Sequence, residues 1–395
     1  MQNFNFYAPT QVVFGRETEN QVASLIKKYG GKKVLLHYGG QSAIKSGLLP
    51  KVEKLLAESG VEYVKLGGVK PNPRLSLVRE GIELCKKEGV DFILAVGGGS
   101  VIDSSKAISS GRFYAGDVWT LYEHKDHATE YLPIGCILTI PAAGSEMSNG
   151  SVITNDEVDG WLKKDYCVDE FRCKFAIMNP ELTYTLPAWQ TACGLTDMIM
   201  HTMERYFSKD DDMETTDAIA EAIIRTCMTE GHKVMENPTN YTSRANVMWA
   251  GTLAHNDLTG CGTTGDWATH NIEHELSGKF DVSHGAGLAA MWGSWARYTR
   301  GENISRFARF AKNVMGVDTT GMSDLEASEA GIKAMEAFFA SIGMPTDIHT
   351  LIGREVTDEE IEDMADKCTT GDQNTIGGLK VLKKADIIEI YKMAK

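Results

Sequence analysis

Phe92-Ile-Leu-Ala-Val96 runs without a break into Gly97-Gly98-Gly99-Ser100 and then into Val101-Ile102-Asp103. An apolar run, a glycine triplet and a helix start in immediate succession read as strand, loop and helix. Glycines without side chains let backbone N–H groups approach an anion, and the following helix N-terminus adds a favourable dipole, so the stretch is a diphosphate cradle on physical grounds. The same glycines would also serve an ordinary tight turn. The order is not Gly-x-Gly-x-x-Gly, and Lys106 stands too far beyond Gly99 for a P-loop.

Outward from that stretch, strand-like runs (Lys33 to Leu36, Tyr63 to Leu66, Phe92 to Val96, Ile134 to Ile140, Phe175 to Met178) alternate with helical ones (Val22 to Tyr29, Leu49 to Ser59, Ser76 to Glu88, Val101 to Ser110). Such alternation predicts a parallel sheet covered on both faces. After Asn179-Pro180 the pattern changes. Thr185 suits a helix cap, Pro187 suits a first turn, and the chain to Lys395 reads as successive helices. The fold class is therefore a Rossmann-like α/β domain over residues 1–183 and an all-α domain over residues 184–395, with the functional site expected in the cleft between them. No internal repeat of about 20 to 50 residues is present.

The 395 residues are 43% hydrophobic and 24% charged, close to soluble globular averages. A net charge of −14, from 54 acids against 40 bases, repels phosphodiesters and anionic lipid, which sets aside nucleic acid and membrane as partners and favours a small molecule. No apolar run reaches the roughly 18 residues that span a bilayer, and Met1-Gln-Asn-Phe-Asn-Phe6 lacks the basic start of a secretion signal. Eight scattered cysteines without a Cys-x-x-Cys pair read as reduced thiols in the cytoplasm. Asp210-Asp211-Asp212 reads as a solvated turn.

Two further loops follow apolar strands. Thr139-Ile-Pro-Ala-Ala-Gly-Ser-Glu146 offers hydroxyls and a flexible Gly144, and ligands of open α/β sheets gather at that end of the strands. After Val34-Leu-Leu36, the segment His37-Tyr-Gly39-Gly40-Gln-Ser42 brings two glycines, a hydroxyl and nearby Lys45, but no carboxylate. An acid there would bind an unmodified ribose and repel a 2′-phosphate, whereas Ser42 and Lys45 suit the phosphate. The segment favours NADP(H), with NAD(H) as the alternative.

In the second half, Asp197 and His201 stand four residues apart, on one face of a helix about a turn from each other. His270 and His274 repeat that spacing, and His284 follows in Val282-Ser-His-Gly-Ala-Gly287. Four of the chain's ten histidines fall in these positions, on apolar helices where a bare imidazole is costly to bury unless paired or coordinated. One carboxylate with three neutral imidazoles suits Fe²⁺ or Zn²⁺, and the lack of thiolates removes a strong reason to insist on zinc. His37, His124, His127, His232, His255 and His349 lack such company and read as ordinary core or surface side chains. A cation held this way and open to an oxygen ligand is a Lewis acid for an alcohol or carbonyl. His274, one turn beyond His270, is placed as a proton relay.

The Gly97–Ser100 strand-linked triplet with Asp103 and Lys106, the Pro71-Asn72-Pro73 turn, Thr139–Glu146, Pro180-Glu-Leu-Thr183 and the set Asp197, His201, His270 and His284 together resemble the iron-containing (group III) alcohol dehydrogenases over essentially the whole chain. Asp266-Trp-Ala-Thr-His270 and His284-Gly-Ala-Gly-Leu-Ala289 are most similar to the butanol dehydrogenase branch, whose members interconvert aldehydes and primary alcohols. The resemblance implies a dehydroquinate synthase-like architecture, Asp197, His201, His270 and His284 as metal ligands, and His274 beside the nicotinamide. It also implies Gly97, Gly98, Gly99, Ser100, Asp103, Thr139, Ser145 and Lys163 around the cofactor, with Lys164 adjacent to the last. A homodimer follows from it too, pairing through the strand-like segment Phe4 to Phe14. Cys173 stands where a proline is usual, and Asn179-Pro180 replaces Asp-Pro.

The rival readings are a lyase similar to 3-dehydroquinate synthase, a polyol (glycerol or diol) dehydrogenase of the same family, and a non-catalytic ligand sensor. The lyase needs basic residues near the metal to hold a phosphorylated substrate. Around His270 and His284 the sequence gives Trp267, Ile272, Leu276 and Leu288, which suit an uncharged alcohol or aldehyde.

Overall fold

A computed structural model describes residues 1–158 and 160–395. The chain forms two compact units, one of residues 8–186 and one combining residues 1–7 with 187–395.

The first unit is built on a six-stranded parallel sheet with the order β1 (Gln11–Phe14), β8 (Phe175–Met178), β5 (Ile134–Ile140), β4 (Phe92–Gly98), β2 (Lys33–Tyr38) and β3 (Glu62–Leu66). The inner strands are apolar runs buried on both faces, as a sheet covered by crossover helices requires. Helices α1 (Val22–Lys28) and α3 (Leu48–Glu58) cover one face, packing Ile26, Val52 and Leu56 over Leu36, Leu94 and Ile177. Helices α4 (Leu75–Glu88) and α5 (Gly99–Gly111) pair on the other, where Gly81 and Gly111 let Ile108 and Ile82 close the space between them. Short α2 (Ser42–Lys45) and α6 (Trp119–Tyr122) complete the unit's helices. From β2 the chain winds outward to β3 and returns to β4 on the other side, so the switch point of the sheet lies between β2 and β4. Such points are where open α/β sheets bind ligands.

The glycine triplet is not a tight turn. Gly97 and Gly98 end the strand, Gly99 opens α5, and none of the three has a left-handed backbone. Crowding explains them: a Cβ would lie 2.4 Å from Val101 Cγ2 at Gly97, 2.8 Å from Ile140 Cβ at Gly98 and 2.9 Å from Ala143 Cβ at Gly99. The register between β4 and β5 slips at Gly97/Gly98, where Leu138 and then Ile140 are the partners and Thr139 is the extra residue. Such bulges recur beside active sites.

Two features escape the sequence reading. An antiparallel ribbon of β6 (Gly150–Asn155) and β7 (Leu162–Cys167) forms a separate sheet packed on α5. Its polar faces carry no clean alternation. The first helix of the second unit starts at Ala188 with Pro187 as its cap, so Pro187 stands next to the first turn as expected but the cap is not Thr185. Proline at the boundary removes a donor that the helix could not have paired.

The second unit is helical: α7 (Ala188–Tyr206), α8 (Glu214–Glu236), α9 (Tyr241–Ala254), α10 (Ala268–Phe280), α11 (His284–Thr299), α12 (Ile304–Asn313), α13 (Asp324–Ser341), α14 (Ile348–Ile352), α15 (Asp358–Thr369) and α16 (Lys384–Met393). Capping boxes start α13 at Ser323/Glu326 and α15 at Thr357/Glu360. Helix α11 runs through the core, burying Leu288, Met291, Trp292 and Trp295. In the acidic turn, Asp210 accepts hydrogen bonds from Gln2 and Asp211 accepts one from Asn303. No helix among the described residues is long and apolar enough to cross a membrane.

His37, on β2, is fully buried. Its Nδ1 lies 2.8 Å from Leu66 O, which can only accept, so Nδ1 carries the proton and Nε2 accepts from Ser104 Oγ at 2.9 Å. Burial pushes its pKa down to about 4, against the partial opposition of the Leu66 bond. The folded pKa lies below the ordinary 6.5, so the unfolded chain binds more protons between those values and stability falls as pH drops through that window. We expect urea midpoints to fall between pH 7 and pH 4 by more in the natural protein than in His37→Gln. At about 1.4 kcal/mol per pH unit the difference is about 3 kcal/mol. Parallel pH dependences would contradict it.

Candidate metal and dinucleotide sites

Three distant stretches of the helical unit converge on one carboxylate oxygen. Asp197 Oδ1, on α7, lies 3.4 Å from His201 Nδ1 one turn along, 3.8 Å from His270 Nε2 on α10, and 3.7 Å from His284 Nε2 at the start of α11. Asp197 Oδ1, His201 Nδ1 and His270 Nε2 are buried, make no hydrogen bond, and lie within 4.8 Å of one another. Donor atoms about 2.1 Å from a shared cation at tetrahedral corners stand about 3.4 Å apart. The spacing is too long for hydrogen bonds and suits an ion between the atoms. Unpaired buried polar atoms cost about 1–3 kcal/mol each, so a cluster of them calls for a ligand. The donor set fits one divalent cation.

The opposite faces of two of these rings are fixed by carboxylates that the sequence reading did not single out. His270 Nδ1 donates to Glu204 Oε1 at 2.9 Å, and Glu204 also accepts from the backbone N–H of Trp267 and His270. His284 Nδ1 donates to Glu273, which is also bonded by Ser277 Oγ. Carboxylates behind metal-binding imidazoles fix the tautomer and aim the other nitrogen. A signal for Glu204 was present, since it stands three residues after His201 and so shares the face that carries Asp197. Burial, then the neighbouring His255, His270, Arg205 and His284, hold His201 well below the usual imidazole range. Burial opposes a charge on His270 too, but the Asp197 and Glu204 carboxylates outweigh it and raise that pKa to about 9.

His255 is a correction. Rather than lacking company, its ring centroid lies 3.9 Å from that of His201, and its Nδ1 is 3.5 Å from Arg205 Nη1. It follows the end of α9, which packs on α7, and helix packing of this kind leaves no trace in sequence spacing. The surroundings also differ from expectation: Ile272, Leu276 and Leu288 are spent in the helical core, while Trp267 carries Arg205 stacked at 4.5 Å. Arg205 is tied down by His201 O, Ala254 O and Asp257. His274 is half-buried, its ring 5.7 Å from that of His284.

In the α/β unit, Gly39 and Gly40 follow β2, Gly97–Ser100 join β4 to α5, and Thr139 is the next-to-last residue of β5. The three strands are parallel neighbours, so these segments share one sheet edge at the switch point. Ser42 and Lys45 are exposed on α2. Asp103 Oδ1 accepts from Ser145 Oγ at 2.5 Å and Oδ2 from Val152 N at 3.0 Å, tying α5 to the following loop and to β6. Lys163 is buried on β7 opposite Thr154, and Lys164 is half-buried beside it.

Residues 9–180 match the family described as "Iron-containing alcohol dehydrogenase", and residues 191–395 match "Fe-containing alcohol dehydrogenase family, C-terminal". The chain is 39% identical to the probable NADH-dependent butanol dehydrogenase 1 of Bacillus subtilis, over 99% of both chains. It is 36% identical to the NADPH-dependent aldehyde reductase YqhD of Escherichia coli, over 88% of both. The crystal structure of an NADH-dependent butanol dehydrogenase A from Thermotoga maritima superposes with a TM-score of 0.94 at 38% identity, covering 100% of this chain and 99% of that one.

Helix α11 reaches Asp197 only because Gly285 has no side chain: a Cβ there would sit 2.2 Å from Cys193 O on α7. Gly285→Ala should push the start of α11 off α7 and carry His284 with it. We expect metal content by elemental analysis to fall well below that of the natural protein and thermal stability to drop by about 1–3 kcal/mol, as for other overpacked contacts. Full metal loading at unchanged melting temperature would show that the close approach is not needed.

Proposed function

This chain belongs to the iron-containing alcohol dehydrogenase family, and from that premise we propose that Asp197, His201, His270 and His284 hold its one divalent cation, Fe²⁺ or Zn²⁺, while His274 relays the proton. The protein is a metal-dependent, NAD(P)(H)-using oxidoreductase of alcohols and aldehydes. The observation that carries the assignment of Asp197, His201 and His270 is their cluster of unpaired donor atoms, and His284 is added because its Nε2 lies 3.7 Å from Asp197 Oδ1.

When bound, the cation supplies Lewis acidity to the substrate oxygen and the nicotinamide supplies or accepts the hydride. The chain's own groups do the rest. Glu204 and Glu273 keep the Nδ1 protons of His270 and His284 engaged, so both Nε2 lone pairs stay directed at Asp197. Alcohol oxidation must also release the hydroxyl proton. His274, half-buried within the group of Glu273 and His284, has the residue type and exposure to take that proton and pass it to solvent.

On the sheet edge, Gly39, Gly40, Gly97, Gly98, Gly99, Ser100, Asp103, Thr139, Ser145 and Lys163 form the proposed dinucleotide site, with the N-terminus of α5 on the diphosphate. Ser42 and Lys45, with no carboxylate between residues 39 and 45, support NADP(H) as the preferred coenzyme. Residues 1–183 and 184–395 are the proposed functional domains, with residues 1–7 packing in the helical unit and residues 184–186 in the α/β unit, and the substrate is a primary alcohol or aldehyde of the butanol/butanal kind. The exposed Phe4, Phe6, Tyr7 and Phe14 and the edge position of β1 support a homodimer formed through this segment, and the free cysteines support a cytoplasmic setting.

Elemental analysis and butanal reduction test the ligand set. We expect close to one metal ion per chain in the natural protein, with metal and turnover both lost in His270→Ala. A variant that keeps both would overturn the assignment. For the coenzyme, kcat/KM should favour NADPH over NADH in the natural protein, and Ser42→Asp should reverse the ratio by about ten-fold or more through repulsion of the 2′-phosphate. NADH outperforming NADPH in the natural protein would refute the preference.

A further inference from the structure

We propose that Lys106 is a positioning residue for the dinucleotide: its buried ammonium holds the loop between β5 and β6 in the shape that sets Ser145 beside α5. The inference rests on the reading of Gly97–Ser100 and Thr139–Glu146 as the dinucleotide site.

Lys106 lies in the second turn of α5 and is completely buried. Its Nζ is within hydrogen-bond distance of Ser145 O (2.8 Å), Ser145 Oγ (2.9 Å), Ser148 O (3.0 Å), Ser148 Oγ (3.2 Å) and Gly150 O (2.7 Å). An ammonium has three protons to share among these five oxygens, none of which belongs to a carboxylate. The loop is thus wrapped around a cation, its carbonyls turned inward to a single point. Burying a charge is costly, and an apolar side chain would fill the same space without that cost. What an apolar side chain cannot do is hold three inward-facing carbonyls.

Asp103, three residues earlier on the same helix, takes the Ser145 hydroxyl and the Val152 N–H. The two side chains hold the loop from one face of α5, Lys106 through its carbonyls and Asp103 through the Ser145 hydroxyl and the strand that follows. They thereby fix Ser145 against the helix whose first-turn N–H groups form the proposed diphosphate cradle. Loss of the ammonium frees the loop to relax, so a structural defect confined to coenzyme binding is the signature.

The test uses the metal-loaded enzyme with butanal and the better of NADPH and NADH. Lys106→Met should raise KM for the dinucleotide about ten- to a hundred-fold, the worth of charge-assisted hydrogen bonds. KM for butanal, kcat at saturating dinucleotide and metal per chain should stay within about two-fold. Ser148→Ala, which removes one of the five acceptors, should raise the dinucleotide KM about two- to five-fold, and it decides the matter if Lys106→Met does not fold. An unchanged dinucleotide KM in the variant that folds, or equal losses of metal and kcat in Lys106→Met, would overturn the role. Hydrogen exchange of the natural protein separates this from the underlying reading. Dinucleotide should protect the amides of residues 97–103 and 144–150. Protection of neither segment removes the dinucleotide site itself, whereas protection of both with an unchanged KM removes only the part given to Lys106.

Discussion

The Asp197 carboxylate sets the terms for the helical unit. One of its oxygens is buried, accepts no hydrogen bond from the described residues, and has three imidazole nitrogens around it at 3.4–3.8 Å. A protein does not leave such an atom unpaired without a use, because each unpaired polar atom forfeits the solvation it had in water. The packing that brings it about is demanding. Helix α11 must start against the backbone of α7, which is why Gly285 faces Cys193 O, and α10 must present His270 while its neighbours Ala268, Ile272 and Leu276 fill the core.

Charge balance bears on the valence of the cation proposed for this place. Asp197, Glu204 and Glu273 are three buried carboxylates in direct contact with His201, His270 and His284. Arg205, a guanidinium close by, is engaged with Asp257 and two backbone carbonyls. A proton on His270 would offset one negative charge, and the raised His270 pKa reflects the pull of two carboxylates toward that outcome after burial has opposed it. A divalent cation offsets two and releases the proton, so cation and proton compete for the same nitrogen.

Much of this was legible. The four-residue spacings of Asp197/His201 and His270/His274 report helix faces, and an apolar run feeding directly into Gly97–Ser100 reports strand and helix, because both periodicities are local. The antiparallel ribbon β6–β7 was not legible, since Gly-Ser-Val-Ile-Thr-Asn and Leu-Lys-Lys-Asp-Tyr-Cys bury side chains on both faces and leave no alternation to read. His255 was invisible for a different reason: it stands 54 residues from His201, and only the packing of α9 on α7 closes the gap. The glycine triplet was located correctly but for an incomplete reason. A loop that approaches an anion and a strand crowded by Val101, Ile140 and Ala143 both ask for glycine, and sequence alone cannot separate them.

The two units solve the same electrostatic problem with opposite signs. In the helical unit, buried anions are surrounded by imidazoles that remain short of full neutralisation until a cation joins them. In the α/β unit, the buried Lys106 cation is surrounded by neutral oxygens and needs no further ligand. On the proposed reading, the first arrangement leaves room for a ligand by staying incomplete, and the second fixes a loop by being complete. That difference follows from the donors available. Carbonyl and hydroxyl oxygens of Ser145, Ser148 and Gly150, from the connection after β5 and the first residue of β6, can close around an ammonium that a single helix delivers. Imidazoles on three separate helices can only be held at a distance from one carboxylate, and the space between them is what the fold has built.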